Sequence, residues 1–216
     1  MDSSRQRTAD FAGRAALVAL FGMLATIKIF GIITVLGKPQ VDFLELATHV
    51  ANLAFVVLVL TLAIVRLSPQ RGSEGWEPWL SALAGTLLPL LFLVLPPTEM
   101  GPVFRAVALS LIAIGWLLSV YVLVFLGRSF SIVAQARRLV TNGPYGLVRH
   151  PLYLAEEVAV IGVMMLYFSP AALAVAAVHW LFQLRRMTNE EKVLRAAFSE
   201  YATYATNIPK VIPRFS

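Results

Sequence analysis

The chain has 216 residues, 58% of them hydrophobic and only 14% charged, with a mean hydropathy of +0.75. Soluble domains run nearer about 45–50% apolar and about 25% charged, so this balance argues against a soluble enzyme and against a disordered chain. The net charge is +6 and cysteine is absent, which removes disulfides, thiolate metal sites, catalytic thiols and palmitoylation together.

A bilayer core of about 30 Å takes about 20 apolar residues per helix. Six stretches are candidates: Ala12 to Leu36, Leu46 to Val65, Trp79 to Leu95, Val103 to Leu126, Leu152 to Phe168 and Ala171 to Leu184. The first is longer than a signal-peptide core of about 7–15 residues and has no small-x-small site after it, so it reads as a retained span. Only Ser169 and Pro170 separate the last two, which predicts a tight helical hairpin, with one broken span as the alternative. The expected fold is an all-α, polytopic integral membrane bundle of about six spans with a cytosolic C-terminal helix.

Loop charges set the orientation. With the N-terminus in the cytoplasm, all 18 Lys and Arg residues but Lys28, Lys38 and Arg105 fall on the inner side. Basic residues placed this way are a membrane-loop bias, and no nucleic-acid partner is expected. Both termini are then cytosolic, and the segment from Gly127 to Pro151 shares one face with the tail after Arg185. Trp76 and Trp79 suit an interfacial belt. The chain shows no targeting segment, which points to the cytoplasmic membrane of a bacterium. Residues 1–126 read as variable spans, and 127–216 as the part that carries chemistry, within one structural unit.

Two segments concentrate that chemistry. The first is Gly143-Pro144-Tyr145-Gly146-Leu147-Val148-Arg149-His150-Pro151-Leu152-Tyr153. Gly-Pro marks a turn, His150 before proline leaves the helical region, and Pro151 suits the first helical position. Arg149 and His150 therefore stand at the mouth of the fifth span, where free backbone N–H groups favour an anion such as a carboxylate. An ordinary loop with interfacial Arg and Tyr anchors reads equally well from single-residue chemistry. The second segment runs from Arg186 through Glu190 and Glu191 to Leu194. His179, Gln183, Arg186 and Glu190 recur at helical spacing and make one polar stripe out of the membrane. A snorkelling basic end followed by a solvated helix explains Lys192 and Arg195, but explains His179 and Gln183 less well.

Taken in order, these segments resemble the isoprenylcysteine carboxyl methyltransferase and phospholipid methyltransferase superfamily. Arg149, His150, Pro151, Tyr153 and Gly162 match its Arg-His-Pro-x-Tyr, eight residues, Gly pattern. Gly143, Pro144 and Tyr145 match its upstream turn, and Glu190, Glu191 and Leu194 its Glu-Glu-x-x-Leu. Phe198, Tyr201, Tyr204 and Pro213 match its aromatic tail. The resemblance covers about residues 127–215 and implies an S-adenosylmethionine-dependent methyltransferase. It implies that Tyr145, Arg149, His150, Pro151, Leu152, Tyr153, Glu190 and Glu191 bind this cofactor on the cytosolic side. It also implies that Arg186 orients an acidic acceptor or the cofactor, with Glu190 beside it.

One departure from the family stands out. Glu156 and Glu157 lie where relatives acting on prenylcysteine carry small or apolar residues. Either they pair with Arg149 or Arg186, or one of them, Glu157 by preference, faces the acceptor. A carboxylate there repels a prenylcysteine carboxylate and attracts or deprotonates an amine, so an acceptor other than prenylcysteine is expected. The acceptor classes are a lipid amine, a lipophilic carboxylate and a small thiol, each reaching the site from the bilayer. Two other readings remain: an NADPH-dependent membrane reductase of the sterol reductase type, and a non-catalytic membrane scaffold. Three scattered histidines, among them His49, give no metal-site spacing, so no metal is expected. Lys28, His49 and Asn52 are further polar residues inside spans.

Overall fold

The computed structural model describes residues 3–99 and 101–213. Of the basic residues used above, Arg214 and the side chains of Arg5 and Arg7 lie outside the described residues. Among the described residues seven α-helices follow in chain order: α1 (Ser3–Leu36), α2 (Phe43–Val65), α3 (Glu77–Leu87), α4 (Pro102–Leu126), α5 (Pro151–Leu166), α6 (Pro170–Ala197) and α7 (Tyr201–Asn207). Stretches within Gly13–Leu36, Phe43–Val65, Glu77–Val94 and Pro102–Ser129 are long and apolar enough to cross a bilayer. The chain is an α-helical membrane protein, and its surface shows it. Phe30, Leu117, Val124 and Leu181 point outward from the bundle, each more than half exposed, where only a hydrocarbon solvent tolerates them.

Local chemistry fixes the helix ends. Asp42 caps α2, its carboxylate accepting from the backbone N–H groups of Leu44 and Glu45 at 3.0 Å each. Ser169 caps α6 in the same way through Ala172, with Pro170 at the first helical position. The third apolar stretch is not one α-helix. Pro89 lacks an N–H to continue the ladder of α3, and the chain tightens into a 3-10 segment from Leu88 to Val94.

A second departure from the all-α expectation is small. Arg71–Gly72 (β1) pairs antiparallel with Gln135–Ala136 (β2). Leu67 N–H also donates to Arg128 O at 2.9 Å, and Ser73 N–H to Ala134 O at 3.0 Å. These bonds seam the α2–α3 connection to the α4–α5 connection across one end of the bundle, called here the near end.

The bundle is held by close backbone approach on one side and polar docking on the other. A Cβ at Gly115 of α4 would lie 2.4 Å from Ala159 N, and one at Gly162 of α5 only 2.6 Å from Ala108 O. Small residues thus let α4 and α5 touch along their length. On the other side, Glu77 at the start of α3 accepts from Arg185 Nε and from Asn189 Nδ2, both at 2.9 Å, and so docks α3 on α6. The predicted hairpin of α5 and α6 has the expected short turn at Ser169. The two helices then splay rather than pack tightly, because α5 follows α4 and α6 follows α3. Thr98 reaches that turn, donating through Oγ1 to Phe168 O at 3.0 Å, so the turn lies at the far end of the bundle.

Candidate functional site

The splay of α5 and α6 leaves a cavity of about 460 Å3, within the range of about 300–1,000 Å3 typical of ligand sites. Its near-end wall is built from Tyr145, Arg149, His150, Leu152, Tyr153 and Glu190.

Backbone geometry explains why these residues meet. Gly143 adopts φ +58°, which lets the turn before Tyr145 close against Phe125. Pro151 starts α5 and leaves His150 outside the helix, with its ring almost fully buried. The expected free donors at this helix mouth are partly taken. Arg149 N–H donates to Pro209 O at 2.9 Å and His150 N–H to Lys210 O at 3.2 Å, so the tail is strapped to the start of α5. Tyr204 adds a bond from its hydroxyl to Tyr145 O at 2.7 Å.

The paired glutamates divide their partners. Glu191 lies 3.0 Å from His150 Nε2 and 3.5 Å from Arg149 Nη2. Burial pulls its carboxyl upward, but the His150 bond and the charges of His150, Lys210 and Arg149 outweigh this and hold it below the usual range. Glu191 is therefore a partly buried strut and does not line the cavity. Glu190 does line it, accepting from the Tyr153 hydroxyl at 3.1 Å. Burial, with the Glu190 charge next, raises the Tyr145 phenol well above its ordinary value, and burial raises Tyr204 to about 12. Both phenols stay protonated donors at neutral pH.

The polar stripe of α6 faces the cavity with all four of its members, His179, Gln183, Arg186 and Glu190. Arg186 is positioned twice over. Its Nη1 donates to Gln183 Oε1 at 2.7 Å, and its guanidinium lies 5.1 Å from the centre of the Tyr153 ring. Gly85 of α3 makes room for it, since a Cβ there would meet Arg186 Cδ at 2.6 Å.

Glu156 and Glu157 differ from expectation. Neither takes Arg149 or Arg186 as its direct partner. Glu156 lies on the cavity wall and accepts from Gln183 Nε2 at 3.3 Å. Glu157, the preferred acceptor-facing residue, is turned off the cavity toward His179, 2.8 Å from its Nε2 and out of line for a hydrogen bond. Adjacent helical residues point about 100° apart, and sequence spacing alone does not choose between them. Pro151 likewise shapes the wall without lining it. Among the described residues, no group of three or more His, Asp and Glu side chains is arranged for a metal ion.

Residues 107–196 match the model of the isoprenylcysteine carboxyl methyltransferase (ICMT) family. The chain is 33% identical over 112 residues to protein-S-isoprenylcysteine O-methyltransferase B of Arabidopsis thaliana, covering 49% of this chain and 57% of that protein. It is 33% identical over 118 residues to protein-S-isoprenylcysteine O-methyltransferase of Schizosaccharomyces pombe, covering 51% and 50%. A 79-residue stretch is 39% identical to the cobalt-zinc-cadmium resistance protein CzcN of Cupriavidus metallidurans, covering 36% and 37%. The chain spans about half the length of the plant and yeast relatives and 37% of CzcN. The family match contains Arg149, His150, Tyr153, Arg186 and both paired glutamates, so the near-end residues of the cavity lie within the stretch that is similar to the isoprenylcysteine carboxyl methyltransferase family.

Proposed function

We propose that this chain is an integral membrane methyltransferase that uses S-adenosylmethionine and acts on a lipophilic acceptor. The observation that carries the proposal is the near end of the cavity, where one carboxylate, three aromatic rings and an arginine converge. The donor set fits the cofactor. Glu190 is one-third exposed, and its one hydrogen-bond partner among the described residues is Tyr153, which leaves acceptor capacity for an ammonium group. Arg149 suits a carboxylate, and the rings of Tyr145, His150 and Tyr153 offer faces and edges for a sulfonium and an adenine. When bound, S-adenosylmethionine supplies an activated methyl group, so no nucleophilic side chain is required of the protein.

The protein's own residues then have three tasks. Glu190, Arg149 and the rings hold the cofactor. The apolar walls contributed by α2 and α4 exclude water from the displacement. Arg186, fixed by Gln183 and Tyr153, faces the same space and orients an anionic acceptor group. A carboxylate acceptor has no proton to lose, so Arg186 suffices for O-methylation. The names of the plant and yeast relatives favour this acceptor, against the expectation drawn from the glutamate pair. A second reading rests on Glu156. Its carboxyl group on the cavity wall is placed to take the proton that an amine acceptor must shed.

We read six crossings, with both termini and the cofactor end cytosolic, in a bacterial cytoplasmic membrane. The far-end position of the α5–α6 turn supports two full crossings by that hairpin, and the basic residues gathered at the near end support the orientation. Residues 127–216 form the cofactor-binding core and 1–126 a variable helical scaffold, in one unit.

The test uses purified, detergent-solubilised protein with tritiated S-adenosylmethionine, offered either farnesylcysteine or phosphatidylethanolamine. The expected product is an alkali-labile methyl ester, lost in His150→Ala and Arg186→Gln. An alkali-stable methyl group on the amine selects the Glu156 reading. Binding of NADPH with none of S-adenosylhomocysteine refutes the proposal in both forms.

A further inference from the structure

The cavity does not stop at the cofactor end. It continues toward the far end of the bundle, where Lys28, Glu45, His49, Asn52 and Arg105 join its wall. Lys28 lies eight residues before the end of α1, about 12 Å inside the helix at about 1.5 Å per residue. His49 and Asn52 lie on one face of α2, three residues apart. The Asn52 side chain is buried. No hydrogen bond or ion pair joins Lys28, His49 or Asn52 to another described residue.

The carboxylates nearby are already committed. Glu45 is paired with Lys38 Nζ at 2.9 Å and with Arg105 Nη2 at 3.0 Å, and Asp42 is paired with Arg105 Nη1. Three cations, Lys28, Lys38 and Arg105, thus face two carboxylates. The surplus positive charge resides on Lys28, the member that has no hydrogen-bond or ion-pair partner among the described residues. An uncompensated ammonium in an apolar span is costly, and such residues mark ligand pathways. The same cavity is also lined by the apolar side chains of Phe55, Val56, Leu109, Ile112 and Trp116.

We propose that the far end of the cavity binds an anionic headgroup, a phosphate or a carboxylate, carried on an apolar chain that lies along the cavity. Lys28 supplies the charge, and His49 and Asn52 supply neutral hydrogen-bond donors. The site is separate from the cofactor end and does not depend on methyl transfer.

The test uses the full chain in phosphatidylcholine nanodiscs. Decyl phosphate, decanoate and decanol are the probes, and binding is read by native mass spectrometry. The expected result is that both anionic probes bind about tenfold more tightly than decanol, the equivalent of one charge-assisted hydrogen bond. Lys28→Met removes that preference while decanol binding and S-adenosylhomocysteine affinity stay unchanged. Nanodiscs containing phosphatidylglycerol distinguish the source of the anion. Competition against decyl phosphate identifies a bilayer lipid as occupant, and its absence identifies a free amphiphile. Equal affinity of the wild type for decyl phosphate and decanol overturns the proposal, whether or not the variant folds. An unchanged preference in a folded Lys28→Met protein overturns it as well, and returns Lys28 to a snorkelling surface lysine.

Discussion

Replacing Gly115 by alanine tests the seam that sets the position of α5, and with it Tyr153 and Glu156. The added Cβ would stand 2.4 Å from Ala159 N and 2.8 Å from its Cα and Cβ. Ordinary contact needs about 3.4–4 Å, so the two backbones must part by about 1 Å at that level. Neither Ala159 N nor Ala159 Cα can rotate away as a side-chain tip could. Overpacking of this kind costs about 1–3 kcal/mol, while removing a helical glycine returns up to about 1 kcal/mol. The net expectation is a loss of about 1–2 kcal/mol, or roughly 2–8 °C in melting temperature for a chain of this length. Gly22→Ala is the internal control, because nothing lies within 4 Å of a Cβ built there. It should be neutral or stabilising. Thermal unfolding of both variants in one detergent decides the matter. A Gly115→Ala protein as stable as wild type, or a Gly22→Ala protein equally weakened, refutes the close-approach argument.

Two further outcomes follow from the near end. Because the Glu191 carboxyl titrates lower in the fold than in the unfolded chain, its charged form stabilises the protein above about pH 4.3, the unfolded value, and that contribution fades as pH falls toward the folded value. Glu191→Gln should therefore lower the melting temperature at pH 7, and the gap to wild type should shrink in acid; a gap independent of pH contradicts the His150–Glu191 strut. Gly143→Ala combines a positive φ with a Cβ 2.3 Å from Phe125 Cε1, and should cost about 1–3 kcal/mol and weaken S-adenosylhomocysteine binding by displacing Tyr145; unchanged affinity and stability count against that turn as a determinant of the site.

The spans and the polar stripe were legible because each is written in local periodicity. Apolar length alone located α1, α2 and α4, and helical spacing alone brought His179, Gln183, Arg186 and Glu190 onto one face. The His150-Pro151 boundary was equally readable, since proline restricts the residue before it. What was not legible depended on contacts distant in sequence or on helix phase. The pairing of Arg71–Gly72 with Gln135–Ala136 involves strands of two residues, too short to leave a period. The choice between Glu156 and Glu157 turns on the rotation of α5, which is set by Gly115 of α4 meeting Ala159 and by Gly162 of α5 meeting Ala108. The splay of α5 from α6 follows from the same seam. Glu191 as a strut, rather than a cavity residue, required knowing that Arg149 and His150 both turn toward it.

The strap from Pro209 and Lys210 to Arg149 and His150 has a consequence for biosynthesis. A ribosome delivers residues 209 and 210 only after α1 to α7 have been made. Until then the amides at the mouth of α5 have only water to bind, and Tyr145 lacks its bond from Tyr204. The helices enter the membrane first, and the polar chamber is sealed last. A nascent chain therefore lacks the bonds that hold the start of α5 until its tail has been made.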